Sequence, residues 1–392
     1  MDSGRWTIRS VVRRLNLVYN SARMQSIRNT FQPIFFRSTL IISIVSILAS
    51  CQLLPSSAND AETTASLSTQ SAVKVSATLP GIFQTGLLNP LDTPNTYVEE
   101  NCRYLRNRWN PLNAEPGTVV MIILFKNINR GTAELPDSIS VIDFLELMNQ
   151  LQAQGFEAIN TDQLQAFMER NVEIPPRSVL LIQDGNQSAD YYDKNFREFF
   201  DKWGWGVVNG WVADPDVSET LLRENINLEY EGFIDHQARG TTSYTTLSDD
   251  SAKPVIAREL QGALNGFADQ FGKTPTTIIW PNGGFGYRPV EAARQLRYKL
   301  GITGNARGPI MYNWVPLADT IDLERPSLLP EAPINDPLMT LPAYSPNEAL
   351  MAIDIVRAIG KTANEYALAS ENVERTYYEA VCEAEFGPLP SP

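Results

Sequence analysis

The chain has 392 residues, a formal net charge of −13 and a single histidine, His236. An acidic protein lacks the basic surface that nucleic acids and anionic lipids require, so neither is expected as a partner. The single histidine also restricts the chemistry, because histidine is the side chain best suited to proton transfer near neutral pH and the commonest metal ligand. Each molecule can fill only one such role with that side chain.

Residues 1–51 are predicted to form a secretory signal peptide. Seven arginines and one acid precede an apolar run at 39–49, which leads into Leu-Ala-Ser-Cys51. A basic region, a short apolar core and small residues before the cut are typical of such signals. The ending resembles a bacterial lipobox, which predicts lipidation of Cys51 and an extracytoplasmic, lipid-anchored protein of the cell envelope. A signal anchor with a chance cysteine is the alternative, and either Met1 or Met24 begins the translated chain.

Cleavage before Cys51 removes seven Arg and one Asp, so 25 basic residues then face 44 acidic ones and the net charge becomes about −19. Two further cysteines, Cys102 and Cys382, then lie in a compartment that permits disulfides. We expect them to pair and to tie the first helix of the globular part to the last. Two free, buried thiols are the alternative, because a sequence gives no distances.

The rest of the chain divides into three parts. Residues 52–94 begin rich in Ser, Thr and Ala and are predicted to be a flexible tether and lead-in. Strand and helix signals alternate over 95–344, where a continuous apolar run at 119–125 is typical of a strand covered on both faces. About seven such units predict an α/β fold, a parallel (β/α) barrel with its chemistry where the strands end. Residues 345–392 are predicted to form a helical extension, which is broken near Gly360, and a disordered tail.

Three predicted strand ends carry candidate functional residues. They are, in chain order, Gln183 with Asp184, then His236, then the turn Pro281, Asn282 and Gly283. Aromatic rings stack on sugar rings, and Trp280 and Trp314 adjoin predicted loop ends. We therefore predict that both tryptophans and the Pro-Asn-Gly turn bind substrate, with packing in the core as the alternative for the two rings.

The order of these segments resembles a polysaccharide deacetylase of the NodB-homology type over residues 119–303. Residues 140–159 resemble the first helix and strand of that family, and 174–181 the approach to its Thr-Phe-Asp-Asp-Gly motif. Residues 192–203 resemble the helix that follows, and 271–303 the segment around its Pro-Tyr-Gly motif. The resemblance implies a distorted, seven-stranded (β/α) barrel related to hydrolases of N-acetyl groups on cell-surface glycans.

The same resemblance assigns roles at the strand ends. In the family, a metal held by one Asp and two His activates water, a second Asp accepts a proton and another His donates one. Aligned on the motifs, Asp184 is the metal-binding Asp, Gln183 stands at the base, His236 at the first metal His and Gly240 at the second. A glutamine amide takes up no proton near pH 7, and no His follows His236. A hydrogen-bonded Asp184–His236 pair with no cofactor is expected, and a weakly held divalent ion such as zinc is the alternative.

Three hypotheses for function follow. The favoured one is a catalytically impaired, deacetylase-like envelope protein that binds a cell-surface glycan or an envelope protein. The first alternative is a working metal-dependent deacetylase with rearranged ligands, in which Asp235 joins Asp184. The second is a structural protein that docks an envelope partner through its acidic surface and its C-terminal helices. In each case the membrane is contacted only through the N-terminal lipid or anchor.

Overall fold

The computed structural model describes residues 77–131 and 138–391. The predicted signal peptide, the lipobox with Cys51 and most of the predicted tether lie outside the described residues. Within the described ranges, no helix is both long enough and apolar enough to cross a membrane.

Strands and helices alternate along most of the described chain. The strands are β1 (Asp92–Asn95), β2 (Val119–Phe125), β3 (Asn127–Asn129), β4 (Ser138–Ser140), β5 (Glu157–Ala158), β6 (Arg177–Asp184), β7 (Val207–Val212), β8 (Ile234–Gly240), β9 (Thr277–Ile279), β10 (Leu300–Ile302) and β11 (Val315–Ala318). The α-helices are α1 (Asn101–Arg108), α2 (Val141–Ala153), α3 (Thr161–Arg170), α4 (Ala189–Asn195), α5 (Arg197–Trp203), α6 (Glu219–Tyr230), α7 (Lys253–Gln270), α8 (Tyr287–Gln295), α9 (Pro346–Tyr377) and α10 (Glu383–Phe386).

The centre of the fold is a curled parallel sheet with strand order β10-β9-β8-β7-β6-β2, and β5 pairs beside the first half of β6. The segment 341–344 joins the two edges of this sheet. Leu124 of β2 donates its backbone N–H to the carbonyl of Tyr344 at 2.9 Å, and Leu341 donates to the carbonyl of Gly301 in β10 at 2.8 Å. These bonds complete the ring, so the predicted seven-stranded, distorted (β/α) barrel with a helical C-terminal extension is confirmed.

Both faces of the sheet are covered, which explains the continuous apolar run of β2. Val120 and Ile122 face an interior cluster that also contains Phe167 of α3. Met121 and Ile123, which alternate with them, pack outside the sheet in a second cluster with side chains of α2 and α9. Because successive residues of a strand point to opposite faces, a strand buried on both sides needs apolar residues throughout.

Helix α9 differs from its prediction, because it runs unbroken through Gly360. Ser345 and Glu348 form the capping box that begins it. A Cβ at Gly360 would lie 2.8 Å from the carbonyl oxygen of Gly117. The glycine therefore permits close approach of the helix to the start of β2 and does not end the helix.

The predicted disulfide between Cys102 and Cys382 is formed, with the two Cα atoms 5.3 Å apart. It ties α1 to a π-helical turn, Tyr378–Cys382, at the end of α9. Leu389, in the tail predicted to be disordered, packs against the apolar cluster around this bond.

At the other terminus, the fold begins before residue 95. Phe83 lies in the predicted lead-in, yet its side chain is buried in the core.

Loss of the disulfide should lower the stability of the fold, because the bond links residues 280 positions apart and restricts the unfolded chain. For the variant carrying Cys102→Ala and Cys382→Ala, we expect the free energy of unfolding to fall by about 2–5 kcal/mol. Thermal unfolding with and without reductant measures the effect. The double variant is the control, since its midpoint should not respond to reductant; an unresponsive wild type would contradict the prediction.

Candidate functional site

The C-terminal end of the barrel, called the mouth below, brings together Asp184, Arg239 and Asn282. Asp184 ends β6, Arg239 is next to last in β8, and Asn282 lies in the turn after β9. Asp184 pairs with Gly210 of β7, which in turn pairs with Gln237 of β8. Paired residues of parallel strands share a face, so Asp184, Gln237 and Arg239 all point into the barrel.

Arg239 forms a buried ion pair with Asp184. Its Nε donates to Asp184 Oδ1, and the two side chains are only 6% and 5% exposed. Its Nη2 donates to Asn282 Oδ1 at 3.0 Å, and its Nη1 approaches the carbonyl oxygens of Thr242 and Ser243 at 3.4 Å. The guanidinium is therefore surrounded by acceptors from three different strand ends, and these hold it in one position.

The loop after β8, whose carbonyl oxygens accept from Arg239, is also held in place by Glu259 of α7. The Glu259 carboxylate is fully buried and accepts from the backbone N–H groups of Thr241 at 2.8 Å and Thr242 at 3.1 Å. Burial raises the pKa of Glu259, but hydrogen bonds from the Thr241 backbone and from the Arg258 side chain outweigh it, so the pKa lies below its ordinary value. Glu259 is therefore ionised at neutral pH and fixes this loop.

Gln183, which stands at the position of the family's base, points out of the barrel. Its buried Nε2 donates to the carbonyl oxygen of Lys126 at 2.9 Å, and its Oε1 accepts from the Tyr191 hydroxyl at 2.7 Å. Burial raises the pKa of Tyr191, so the phenol keeps the proton that it donates. Gln183 and Asp184 thus lie on opposite faces of β6, and the amide joins β6 to the end of β2 and to α4.

The expected pairing of His236 with Asp184 is wrong. The sequence placed the strand end at Asp235, but β8 continues to Gly240, so His236 lies within the strand and faces the helices. Its Nδ1 is 2.7 Å from Glu229 Oε2 and its Nε2 is 2.9 Å from Asn225 Oδ1, both on α6. Burial lowers the pKa of His236, and the Glu229 carboxylate acts in the opposite direction.

Sequence reasoning missed Arg239, the actual partner of Asp184. One signal could have found it, because alternate residues of a strand point to the same face. Asp235 and Arg239 therefore lie on one face of β8, and His236 lies on the other. Gly240, which stands at the second metal His in the alignment, points outward, where a Cβ would lie 2.8 Å from Glu259 Oε2. Neither His236 nor residue 240 therefore reaches the mouth.

The mouth does not fit a metal ion. Over residues 77–131 and 138–391, no group of three or more His, Cys, Asp or Glu side chains is placed to hold one. Asp184 is bonded to the cationic Arg239, which would repel a second cation at the same carboxylate. Asp235, the proposed substitute ligand, lies near the start of β8 and instead accepts from the Thr161 backbone at 3.3 Å and from Lys273 at 3.4 Å.

The two tryptophans predicted to bind substrate lie in the core. Trp280 is 2% exposed and donates its indole N–H to the carbonyl oxygen of Met339 at 2.7 Å. Trp314 is 4% exposed and donates to the carbonyl oxygen of Phe83 at 3.0 Å. Neither ring is presented at the mouth, which corrects that prediction in favour of core packing.

Within the Pro-Asn-Gly turn, Asn282 is the residue that reaches the mouth. Pro281 is buried, whereas Asn282 is exposed and adopts a left-handed backbone conformation with φ 53°. Its Nδ2 donates to the carbonyl oxygen of Thr245 at 3.1 Å, while its Oδ1 accepts from Arg239. Gly283 follows with φ 70° and completes the turn. The turn therefore supports the Arg239 guanidinium and the loop after β8.

An open cleft of about 780 Å³ lies beside the mouth, between the loops that follow β7 and β8 and the side of α7. The loop held by Arg239 and Glu259 forms one wall and presents Tyr244, whose side chain is 82% exposed. Polar groups from the other two walls also line the cleft, among them Asp214, Asn265 and Asp269. An exposed aromatic ring among carboxylate and amide groups can bind a polyhydroxylated ligand.

Comparison with known proteins finds similarity in fold. No family model matches the sequence, and no curated protein matches it. A deacetylase of Streptococcus pyogenes, PplD, solved in complex with acetate, is 14% identical, with 61% of this chain and 99% of that chain covered and a TM-score of 0.47. BC0361, a polysaccharide deacetylase from Bacillus cereus, is 14% identical over 60% of this chain and 69% of its own, with a TM-score of 0.45. IcaB from Ammonifex degensii is 11% identical over 62% and 98%, with a TM-score of 0.45.

Removing Arg239 should destabilise the fold more than removing the whole ion pair. Arg239→Met leaves the Asp184 carboxylate buried without its counter-charge, so we expect the free energy of unfolding to fall by about 3–5 kcal/mol. The double variant with Asp184→Leu buries no charge and should recover most of that loss. Urea denaturation measures both, and equal losses for the single and double variants would contradict a buried, mutually dependent pair.

A carboxylate in place of the Gln183 amide should also destabilise the fold. Gln183→Glu keeps the shape of the side chain but removes the donor to the Lys126 carbonyl, so we expect a loss of about 1–3 kcal/mol at neutral pH. The exposed Gln152 provides a control, since Gln152→Glu should change stability by less than about 0.5 kcal/mol. Urea denaturation compares the two, and an unchanged midpoint for Gln183→Glu would show that the amide is not required.

Proposed function

We propose that this protein is a polysaccharide deacetylase-like lipoprotein of the cell envelope that binds a surface glycan without hydrolysing it. The proposal rests on one observation: the carboxylate that the resemblance assigns to a metal, Asp184, is bonded to the guanidinium of Arg239. The cation at the mouth is therefore the guanidinium of Arg239, which, unlike a catalytic metal ion, has no open coordination position for water or for a carbonyl oxygen.

Hydrolysis of an amide needs an electrophile, an activated water and groups that move protons. Asp184 is held by Arg239, the Gln183 amide faces outward with both of its polar atoms bonded, and His236 is buried against α6. None of these three side chains can therefore supply the function that the alignment assigns to its position. These contacts support a site without hydrolytic chemistry.

The cleft beside the mouth is the proposed glycan site. Carboxylate oxygens of Asp214 and Asp269 accept hydrogen bonds from sugar hydroxyls, and the Tyr244 ring offers a face for apolar stacking. Arg239 and Glu259 hold the loop that carries Tyr244, which reduces the conformational entropy lost on binding. The Arg239–Asp184 ion pair would thereby assist binding by fixing the position of this loop.

The envelope location is supported by two independent features. The first is the N-terminal sequence with its basic region, apolar run and lipobox-like ending at Cys51. The second is the Cys102–Cys382 disulfide, which fits an oxidising compartment outside the cytoplasm. Both agree with a lipid-anchored protein that faces cell-surface glycans.

The test combines binding with hydrolysis. Full-length protein should co-sediment with at least one of chitin, chitosan and purified peptidoglycan, and Tyr244→Ala should weaken that binding about tenfold. Tyr230→Ala is the matched control, because Tyr230 is 94% exposed on α6 and does not line the cleft. Acetate release from the same polymers should stay at background.

Two outcomes would contradict the proposal. Acetate release that is abolished by Asp184→Asn would show that the mouth is catalytic. Equal binding by wild type and Tyr244→Ala, or no binding to any of the three polymers, would remove the cleft as a glycan site. Capture of an envelope protein in place of a glycan would then favour the docking hypothesis.

A further inference from the structure

The only histidine of the chain, His236, is completely buried. It lies on the outer face of β8 and takes no part in the contacts of the mouth. Its ring stacks on Phe271, with ring centroids 4.7 Å apart, and meets the Trp211 ring edge to face at 5.5 Å. Packing against these two rings fixes the plane of the imidazole, so its two nitrogens are directed at defined partners.

Both partners of the ring are oxygen acceptors on α6. Nδ1 lies 2.7 Å from Glu229 Oε2, and Nε2 lies 2.9 Å from Asn225 Oδ1. The orientation of the Asn225 amide is fixed, because its Nδ2 donates to the carbonyl oxygens of Gln187 at 3.0 Å and Leu221 at 2.9 Å. Exchanging the oxygen and nitrogen of this amide would place its oxygen against two carbonyl oxygens. Asn225 therefore presents an acceptor to His236.

A neutral imidazole cannot donate to both acceptors. It has an N–H on one nitrogen and a lone pair on the other, whereas the imidazolium has an N–H on each. The Glu229 carboxylate, which also pairs with Lys273, is the stronger acceptor, so a neutral ring keeps its proton on Nδ1. The lone pair of Nε2 then faces the Asn225 oxygen at 2.9 Å, and the two repel each other. Only the protonated ring makes both hydrogen bonds.

We infer that His236 is a proton-dependent clasp between β8 and α6, closed when the ring is protonated and open at Asn225 when the ring is neutral. Asn225 extends the clasp to the loop after β6 through its bond to Gln187. In the same loop, Asn186 makes two hydrogen bonds with Val212 at the end of β7, at 2.7 Å and 2.9 Å. The ring proton is thus connected to two strand ends. This inference goes beyond the proposed function, because it requires no glycan.

The charged groups around the ring place the clasp in the acidic range. Burial lowers the pKa of His236, the Glu229 carboxylate on α6 raises it, and Lys273, in the segment before β9, lowers it. The Asp235 carboxylate, on β8 itself, makes a further upward contribution. The effect of burial prevails, so the pKa lies below its ordinary value of 6.5. The clasp therefore closes as the pH falls below neutrality.

The experiment is NMR of the imidazole nitrogens in the full-length protein, purified in detergent and isotopically labelled only at histidine. Because His236 is the only histidine, its two nitrogens give unambiguous signals. At about pH 8 we expect a neutral ring with its proton on Nδ1, and at about pH 4.5 a ring protonated on both nitrogens. Asn225→Leu removes the acceptor at Nε2 and should lower the midpoint by about one pH unit.

Asn227→Leu is the matched control, because Asn227 is an exposed residue of the same helix and its substitution should leave the midpoint unchanged. A neutral ring with its proton on Nε2 would overturn the inference. The same holds for a ring whose protonation does not change over the titration, and for equal midpoints of wild type and Asn225→Leu. The tautomer and the titration are measured on the wild type, so both remain decisive if Asn225→Leu does not fold.

Discussion

The ion pair between Arg239 and Asp184 is the interaction on which the rest of the mouth depends. Two charges removed from water are stable only if their geometry is good and their remaining polar atoms find partners. Asn282 and the carbonyl oxygens of the loop after β8 provide these partners. The same contacts position that loop and the turn after β9. Substitution of Arg239 would therefore remove contacts at the ends of β6, β8 and β9 at the same time.

A guanidinium and a metal ion balance a carboxylate in different ways. Both supply positive charge, but an arginine is tethered, planar and surrounded by its own donors, whereas a catalytic metal keeps a position open for water or substrate. At the mouth, the guanidinium of Arg239 balances the charge of Asp184. The Gln183 amide donates to one group and accepts from another, which an ionised carboxylate could not do. Asp184 and Gln183 thus both make contacts that join neighbouring strand ends.

The sequence predicted the barrel, the start of α2 at its Ser140 cap and the position of Asp184 at a strand end, because apolar periodicity and capping residues are local signals. It failed at the end of β8, where the apolar run stops at Ile234 and polar residues follow. Those residues stay in the strand because tertiary partners satisfy them: Gln237 accepts from the backbone N–H groups of Thr276 and Thr277, each at 3.1 Å. No local pattern reveals such partners, so the predicted strand ended five residues early, at Asp235, and His236 was assigned to the mouth.

Helix α9 connects the two ends of the barrel, since its 32 residues span about 48 Å. Near its start, Asn347 donates to the carbonyl oxygen of Ser138 in β4, and near its end Glu374 accepts from the Trp109 indole at 2.7 Å. Burial raises the pKa of Glu374, and the nearby Arg108 charge acts against that rise. The helix thus carries a buried carboxylate to the end of the barrel that the disulfide reinforces. The polar contacts of the mouth hold the loops at one end of the barrel, whereas this buried carboxylate and the disulfide hold the helices at the other end.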